Sequence, residues 1–184
     1  MNEVFTASPA SPERGGGPLA VEGSLLRWSP FDLEAETALF LRCYRSAWLC
    51  AHGSLLGFEE NATLMGARYR ASTSPGALQK LTVGDAFGGI LALDERRGKR
   101  QGICWISFLF VEEKFRRQGL GRRLIEAAAE RAKELGRTEL QLCAAKSNPA
   151  LGFYEKLGFT VCGREPGALE PLLKLRLRLS CYPP

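Results

Sequence analysis

Nine consecutive residues near the middle of the chain, ICWISFLFV at Ile103–Val111, are apolar apart from Ser107. Successive side chains of a strand point to opposite faces of a sheet, so an unbroken apolar run must be covered on both faces. The run is far shorter than the roughly 18 apolar residues that indicate a membrane span. It therefore predicts a central, buried strand.

Strand and helix patterns flank this run along the rest of the chain. Alternating apolar residues, caps and glycine turns predict strands at 24–28, 80–83, 87–93, 139–143, 159–163 and 172–179. Pro30 is expected to end the first strand, and Asp32 is expected to cap a long helix. Further helices are predicted at 59–71, from Gly121 to about Leu135, and from Asn148 to near Gly158. This mixture predicts an α/β or α+β fold.

Length and composition suit one globular domain. The chain has 184 residues, of which 45% are hydrophobic and 24% charged. Residues 1–22 contain three prolines and a run of three glycines, so we expect a flexible or loosely packed leader before a single domain at 23–184. The start lacks a basic region followed by an apolar one, which favours a cytoplasmic protein without a membrane segment.

The six cysteines do not suggest a metal site or a disulfide framework. No CxxC pair occurs and the chain has one histidine, so free thiols packed in the core are the expectation. Cys43 and Cys50 are seven residues apart, which places them on one helix face. The formal net charge of +5 suits an anionic ligand, but it decides nothing by itself.

The central strand leads into a glycine- and arginine-rich turn, RRQGLGRRL at residues 116–124. At a helix N-terminus the first amides lack partners and the helix dipole favours an anion, while glycine lets a phosphate approach the backbone. A Walker loop is excluded because no GlyLysSer or GlyLysThr occurs, and a dinucleotide fingerprint lacks its third glycine at Leu124. An ordinary turn with a solvated basic rim remains the alternative to a pyrophosphate site.

Two motifs in order connect this turn to a known family. The first has Arg116, Gly119 and Gly121 in the spacing Arg, two residues, Gly, one residue, Gly. The second, about 30 residues later, has Asn148, Ala150 and the run YEKLGF at 154–159. Together they closely resemble the Gcn5-related N-acetyltransferase (GNAT) superfamily, from about residue 87 to 179.

The resemblance implies a fold and a way of binding acetyl-CoA. The family has a mixed, mostly antiparallel sheet of six or seven strands with helices on both faces, and two central strands splay apart. Here those would be 103–111 and 139–143. The resemblance implies acetyl-CoA as co-substrate and no metal, bound by Leu109, Val111, Arg116, Arg117, Gln118, Gly119, Leu120, Gly121, Arg122, Asn148 and Tyr154. Within that set, the backbone of Leu109 and Val111 would bind the pantetheine arm, and the amides of residues 118–122 the pyrophosphate.

The implied reaction is direct attack of a neutral primary amine on the thioester carbonyl. Tyr154 would then protonate the leaving CoA thiolate; taken without the resemblance, Tyr154 is better explained as an apolar packing residue of a short helix. Histone-type relatives carry a glutamate base where this chain has Trp105. We therefore expect water to carry the amine proton, with Glu112 as the candidate carboxylate base. Ser107 is expected either to orient such a water or to bond a neighbouring carbonyl, and Asp94 and Glu95 are expected to be solvated turn residues.

Two other functions remain as alternatives. A non-catalytic acyl-CoA-binding sensor or structural domain of the same fold would retain the glycine turn. A nucleic-acid-binding module is disfavoured because the arginines are not interleaved with exposed aromatic residues. The acceptor, a small-molecule or peptide amine, should meet the first two helices, the loop at 53–60 and the segment 163–170. The family leaves a homodimer open.

Overall fold

The computed structural model describes residues 25–72, 74–167 and 170–181, so the expected leader at 1–22 lies outside the described residues. The strands are β1 (Leu26–Pro30), β2 (Leu78–Val83), β3 (Ala86–Asp94), β4 (Ile103–Val111), β5 (Glu139–Ala144), β6 (Thr160–Glu165) and β7 (Leu172–Arg178). The helices are α1 (Thr37–His52), α2 (Phe58–Arg70), α3 (Leu120–Glu134) and α4 (Leu151–Lys156).

The seven strands form one sheet in the order β1-β2-β3-β4-β5-β7-β6. The pairing of β4 with β5 is parallel, and the other pairings are antiparallel. The α/β class and the mixed, mostly antiparallel seven-stranded sheet expected from the resemblance are thereby confirmed.

Helices pack on both faces of the sheet and form two separate cores. On one face, α3 and α4 pack against β4, β5 and β7 through residues such as Leu124, Leu140 and Leu175. On the other face, α1 and α2 pack on β3 and β4 through an aromatic cluster that includes Phe40 and Phe108. The central strand β4 contributes to both cores, which is why its sequence is apolar on both faces.

The two central strands separate after three residue pairs. The parallel register joins Ile103 to Glu139 and ends where Trp105 faces Gln141. On the other edge of β4, Leu93 faces Ile106 and Ala92 faces Phe108, so Ser107 has no opposite residue. Such a bulge bends a strand, and here it coincides with the point where β4 leaves β5. The expected splayed pair is therefore present, and the gap opens beyond the bulge.

The start of the domain differs in two respects from the sequence prediction. Pro30 does not end the first strand; it is the last residue of β1 and faces Gln79. A proline is tolerated there because β1 is an edge strand and the missing N–H faces no neighbour. Asp32 does not cap α1 either: its Oδ1 accepts bonds from the Glu34 and Ala35 amides at 3.1 and 3.0 Å, in a turn that precedes the helix.

Five cysteines have described side chains, and all five are free thiols. Cys43 and Cys104 are buried in the two cores, as expected. Cys50 is exposed, although it shares α1 with Cys43. Seven residues span almost two helical turns, and the C-terminal turn of α1 extends past the core that covers Cys43.

Candidate functional site

A large cavity occupies the gap between the two central strands. Its volume is about 1270 Å³, above the roughly 300 to 1,000 Å³ of ordinary ligand pockets. The backbone and side chains of Ile106 to Val111 form one wall, and the end of α1, the glycine turn and α4 form others. The cavity follows β4 from Trp105 to Val111, the last residue of the strand. These six residue steps correspond to about 20 Å. It is long enough for an extended ligand.

The glycine turn closes one end of this cavity with the N-terminus of α3. Gly119 precedes the helix with φ of +87°, and its carbonyl accepts a bond from the Arg123 amide at 3.2 Å. The amides of Leu120, Gly121 and Arg122 therefore have no acceptor within the helix. A Cβ on Gly121 would lie 3.1 Å from the Phe153 ring, so this glycine also allows α4 to pack close to α3.

The arginines of the turn have different surroundings. Arg116 donates from Nε to the Val111 carbonyl at 3.1 Å, and its guanidinium lies 5.9 Å from the Phe110 ring centre. Arg117 has φ of +60°, the one positive φ of a non-glycine residue in the part of the chain that the structure describes. This left-handed conformation costs about 1 to 2 kcal/mol, and residues held in that way cluster at functional sites.

The structure brings together most, but not all, of the expected binding residues at the cavity. Those that line it are Leu109, Val111, Arg116, Arg117, Gly119, Gly121, Arg122, Asn148 and Tyr154. Gln118 and Leu120 are not among the lining residues: Gln118 donates to the Lys114 carbonyl at 2.6 Å, and the Leu120 side chain is fully buried in the core. Their expected contribution was through backbone amides, which does not require an exposed side chain.

Tyr154 lies at the wall formed by α4. The side chain is 9% exposed and packs against the rings of Phe153 and Phe159, with centroids 5.3 and 5.6 Å away. Within the described residues its hydroxyl has no hydrogen-bond partner. Burial raises the pKa of Tyr154 to about 12, so the phenol is protonated at neutral pH. A protonated, unpaired hydroxyl at a cavity wall can donate a hydrogen bond or a proton to a ligand.

Asn148 shapes the entrance to α4. Its Oδ1 accepts a hydrogen bond from the Ala150 amide at 2.8 Å, and α4 begins one residue later at Leu151. The expectation that Asn148 caps this helix, with Pro149 in its first turn, is therefore wrong: the bond lies in a turn before α4, and the N-cap residue is Ala150, which makes no side-chain cap bond.

Glu112 follows β4 but lies outside the cavity lining. Its carboxylate binds the Arg42 guanidinium of α1 at 2.6 Å. The hydrogen bond from Arg42 holds the pKa of Glu112 below its usual range, which weakens it as a base. A catalytic role for Glu112 stays a prediction, and both observations count against it.

Polar side chains from α1, α2 and β4 line part of the cavity. Tyr44 donates to Asn61 Oδ1 at 2.5 Å, and both residues line the cavity. The buried hydroxyls of Ser107 and Tyr69 lie near each other without a hydrogen bond of ordinary geometry. Ser107 does line the cavity, and its bulged position on β4 leaves its hydroxyl without a partner in the described structure. The hydroxyl is itself buried, so a water or a ligand can reach it only if a neighbouring side chain moves.

Asp94 was expected to be a solvated turn residue, and this is wrong. It is 9% exposed, and its Oδ1 accepts hydrogen bonds from the Arg96 and Arg97 amides at 3.1 and 3.0 Å. Its Oδ2 accepts a bond from Arg68 Nη1 at 2.8 Å. Glu95 is also bonded, to Arg131 Nε at 2.8 Å. The charged sequence of this turn therefore suggests exposure, but the Asp94 carboxylate is buried and binds Arg68 and two backbone amides.

Three charged residues at the cavity lie outside both sequence motifs and were not expected there. Arg68 of α2, Arg97 of the β3–β4 turn and Glu165 at the end of β6 all line it. Arg97 stacks on the Trp105 ring at 3.5 Å from its centre and forms an ion pair with Glu165 at 3.2 Å. They come from separate segments, and no local motif marks them. The segment around 163–170 was expected at the acceptor, and Glu165 lies within it.

Two kinds of feature are absent from the described residues. No group of three or more His, Cys, Asp or Glu residues that could hold a metal ion occurs among the residues with described positions. Across that same portion of the chain, no helix has the length and apolar character needed to cross a membrane.

Solved structures with the same architecture have low sequence identity to this chain. Ard1 from Thermoplasma volcanium is 19% identical, with a TM-score of 0.62 over 83% of this chain and 97% of its own. YncA from Salmonella typhimurium, solved with its cofactor acetyl-CoA, is 18% identical, with a TM-score of 0.61 over 88% and 98%. PaiA N-acetyltransferase from Thermoplasma acidophilum, in complex with coenzyme A, is 13% identical, with a TM-score of 0.64 over 84% and 99%. At such identities the likeness shows a shared fold.

Sequence comparison gives the family directly. No curated protein sequence matches the chain significantly. The model of the acetyltransferase (GNAT) family matches residues 33–159, which includes the gap between the central strands, the glycine turn and Tyr154. The chain therefore belongs to the acetyltransferase (GNAT) family.

Proposed function

We propose that this protein transfers the acetyl group of acetyl-CoA to a primary amine by direct attack, with Tyr154 as the general acid. The observation that carries the proposal is the unpaired, protonated Tyr154 hydroxyl at a cavity whose other end is the N-terminus of α3. A protein that only bound acyl-CoA would need the anion site and would have no use for a proton donor there.

The residues at the cavity fit acetyl-CoA as the donor. The free amides at the start of α3, with Arg117 and Arg122 at the rim, suit a pyrophosphate. Beyond the bulge, the edge of β4 that faces β5 has no strand partner, so the backbone of Leu109 and the amide of Val111 can bind the amide-containing pantetheine arm as an added strand would; the Val111 carbonyl already accepts a bond from Arg116. A β4 amide near Leu109 can also polarise the thioester carbonyl.

The chemistry requires a proton to leave the amine and another to reach the sulfur. The amine nitrogen attacks the thioester carbon, the C–S bond breaks, and the thiolate takes the Tyr154 proton, which water later replaces. The raised pKa of Tyr154 does not prevent this transfer: burial destabilises a thiolate at the same place and makes it a stronger base. The hydroxyl therefore stabilises the departing thiolate.

Water is the proposed acceptor of the amine proton. An alkyl amine with a pKa of about 10.4 is neutral in roughly one of 2,500 molecules at pH 7, so a deprotonated amine must be selected or produced. Ser107, whose unpaired hydroxyl is buried at the bulge, would orient such a water after a movement of the side chains that cover it. Glu165 also lines the cavity, but the hydrogen bond from Lys174 holds its pKa below the usual range. A carboxylate held ionised by two cations is a weak base.

The proposal is tested by donor binding and by turnover. Acetyl-CoA should raise the melting temperature, and a panel of amines and peptides should include acceptors that release free CoA thiol. Stabilisation by acetyl-CoA without transfer to any acceptor would favour the non-catalytic sensor. Absence of stabilisation, with salt-sensitive binding to DNA or RNA, would contradict the proposal altogether. A homodimer and a cytoplasmic location remain proposals that size-exclusion chromatography and cell fractionation test.

A further inference from the structure

Two arginines face the acceptor end of the cavity and keep most of their hydrogen-bond donors free. A guanidinium has five N–H donors. Arg68 uses Nη1 for Asp94, and Arg97 contacts Glu165 through Nη2 at 3.2 Å. Their side chains remain 53% and 45% exposed while both line the cavity. The remaining donors are therefore available to a ligand.

A single buried carboxylate holds both arginines in position. Asp94 Oδ2 binds the Arg68 guanidinium, and Asp94 Oδ1 binds the backbone amide of Arg97. The Arg97 guanidinium is then fixed flat on the buried Trp105 ring, 3.5 Å from its centre. Asp94 and Trp105 are themselves opposite residues of β3 and β4. Guanidinium groups held in this way lose little side-chain freedom when they bind an anion.

These arginines are too far along β4 to serve the CoA pyrophosphate. Trp105 precedes Val111, the end of the strand next to the glycine turn, by six residues, which corresponds to about 20 Å. The turn has its own arginines. Asp94 and Glu165 offset two positive charges of the cluster formed by Arg68, Arg97 and Lys174, which binds Glu165 at 2.6 Å. The cluster therefore keeps one net positive charge, which favours an anionic group there.

We propose that the acceptor amine carries a carboxylate or phosphate group, which Arg68 and Arg97 bind while its amino group reaches the thioester. This inference rests on the proposed acetyl transfer. The thioester would lie near Leu109, four residues from Trp105. The anion and the reacting nitrogen are then roughly 13 Å apart along the strand, and the reach of the arginine side chains shortens this distance. The acceptor therefore separates its anionic group from its amine by several bonds, unlike an α-amino acid.

Acceptor pairs that differ in one charge test this proposal. The panel contains ω-amino acids from β-alanine to 6-aminohexanoate, each with its primary amide, and ethanolamine with its phosphate ester. Short peptides with glutamate or glutamine near the N-terminus extend the series. The anionic member should have about 10- to 100-fold higher kcat/KM, through KM, with an optimum at intermediate or longer spacing. Equal rates within every pair would overturn the proposal, and the phosphate pair distinguishes the two anions.

Three variants, each of which replaces one arginine by glutamine, test which residues bind the anionic group. Arg68→Gln and Arg97→Gln should each remove about 10- to 100-fold from kcat/KM for the anionic acceptor and lower kcat/KM for its amide partner much less. Arg96→Gln is the matched control, because Arg96 is exposed, lies in the same turn, and binds Asp94 by its backbone amide alone. Equal losses for charged and neutral acceptors, or an equal loss in Arg96→Gln, would mean that the arginines are merely structural.

A binding measurement separates failure of this inference from failure of acetyl transfer. Succinate should change the fluorescence of Trp105 saturably in wild-type protein, whereas succinamide should not, and Trp105→Phe should abolish the signal. A succinate response lost in Arg97→Gln supports the anion site even if no acceptor is acetylated. If acetylation occurs without a succinate response or any preference for anionic acceptors, the enzyme activity stands and the anion site does not exist.

Discussion

Arg42 and Glu112 form a two-point ion pair that joins α1 to the residue after β4. Nη2 lies 2.6 Å from Oε2, and Nη1 lies 3.3 Å from Oε1. The Arg42 guanidinium is also 5.6 Å from the centre of the Phe110 ring. The pair lies next to the glycine turn but outside the cavity lining. Glu112 is thus bound to α1. This contact is a structural role, and it competes with a role as a base.

Charge removal from either partner distinguishes these two roles. If Glu112 serves the ion pair, Glu112→Gln and Arg42→Gln should have the same effects: a loss of up to about 1 kcal/mol in the free energy of unfolding and an unchanged shape of the pH–rate profile. Urea denaturation and thiol release between pH 6 and pH 10 measure both. A changed profile in Glu112→Gln alone would restore Glu112 as the base.

Loss of the Tyr154 hydroxyl should slow the chemical step. Tyr154→Phe retains the ring that packs against Phe153 and Phe159, so the fold should be preserved. General acid catalysis contributes typically about 10²- to 10⁴-fold, and we expect kcat to fall within that range with little change in KM for acetyl-CoA. Thiol release with the best acceptor measures this effect.

The pH dependence of the wild-type enzyme supplies a second test of Tyr154. Its pKa of about 12 means that the phenol stays protonated while the acceptor amine, with a pKa near 10.4, loses its proton. The rate should therefore rise with pH up to about 10 without the decline that loss of an acid would cause. A bell-shaped profile falling between pH 8 and pH 10, or an unimpaired Tyr154→Phe variant, would contradict the role of general acid.

The glycine turn permits a comparison between two equally strained substitutions. Gly119 has φ of +87° and Gly136, at the other end of α3, has φ of +67°, and an added Cβ would meet no atom within 4 Å at either position. Each alanine substitution should lower the free energy of unfolding by about 1 to 2 kcal/mol. Only Gly119→Ala should weaken acetyl-CoA binding, since its backbone faces the cavity. Equal acetyl-CoA affinity in both variants by calorimetry would exclude the turn as the pyrophosphate site.

Buried thiols should make the protein less stable in alkali. Burial raises the pKa of Cys104 from 9.0 to about 11, so the folded state holds the proton more tightly than the unfolded chain. The contribution of this thiol to the free energy of unfolding is complete below pH 9 and is lost as the pH rises through 11. The loss amounts to about 3 kcal/mol. Urea denaturation from pH 8 to pH 11 should show the decline. Cys104→Ala should show a shallower decline; an identical slope in the variant would refute the assignment.

The sequence predicted the site where its residues are contiguous. Gly119, Gly121 and Tyr154 belong to short motifs, and the structure has the helix, the turn and the cavity wall that those motifs implied. Arg97 and Glu165 could not be found in this way. They are 68 residues apart, and each stands in a charged segment that by itself resembles an exposed turn.

Local sequence alone determined the elements whose patterns are strong. The run at Ile103–Val111 had to be a doubly covered strand, because only burial on both faces hides nine nearly continuous apolar residues. Glycines before an amphipathic stretch likewise determined where a helix starts and leaves its first amides unpaired. Tertiary structure alone decided that β4 leaves β5 after Trp105, that Asp94 is buried, and that Arg68 and Arg97 share the cavity. These properties arise from pairings between distant segments, and a carboxylate at the end of a strand carries no local sign of which cations will surround it.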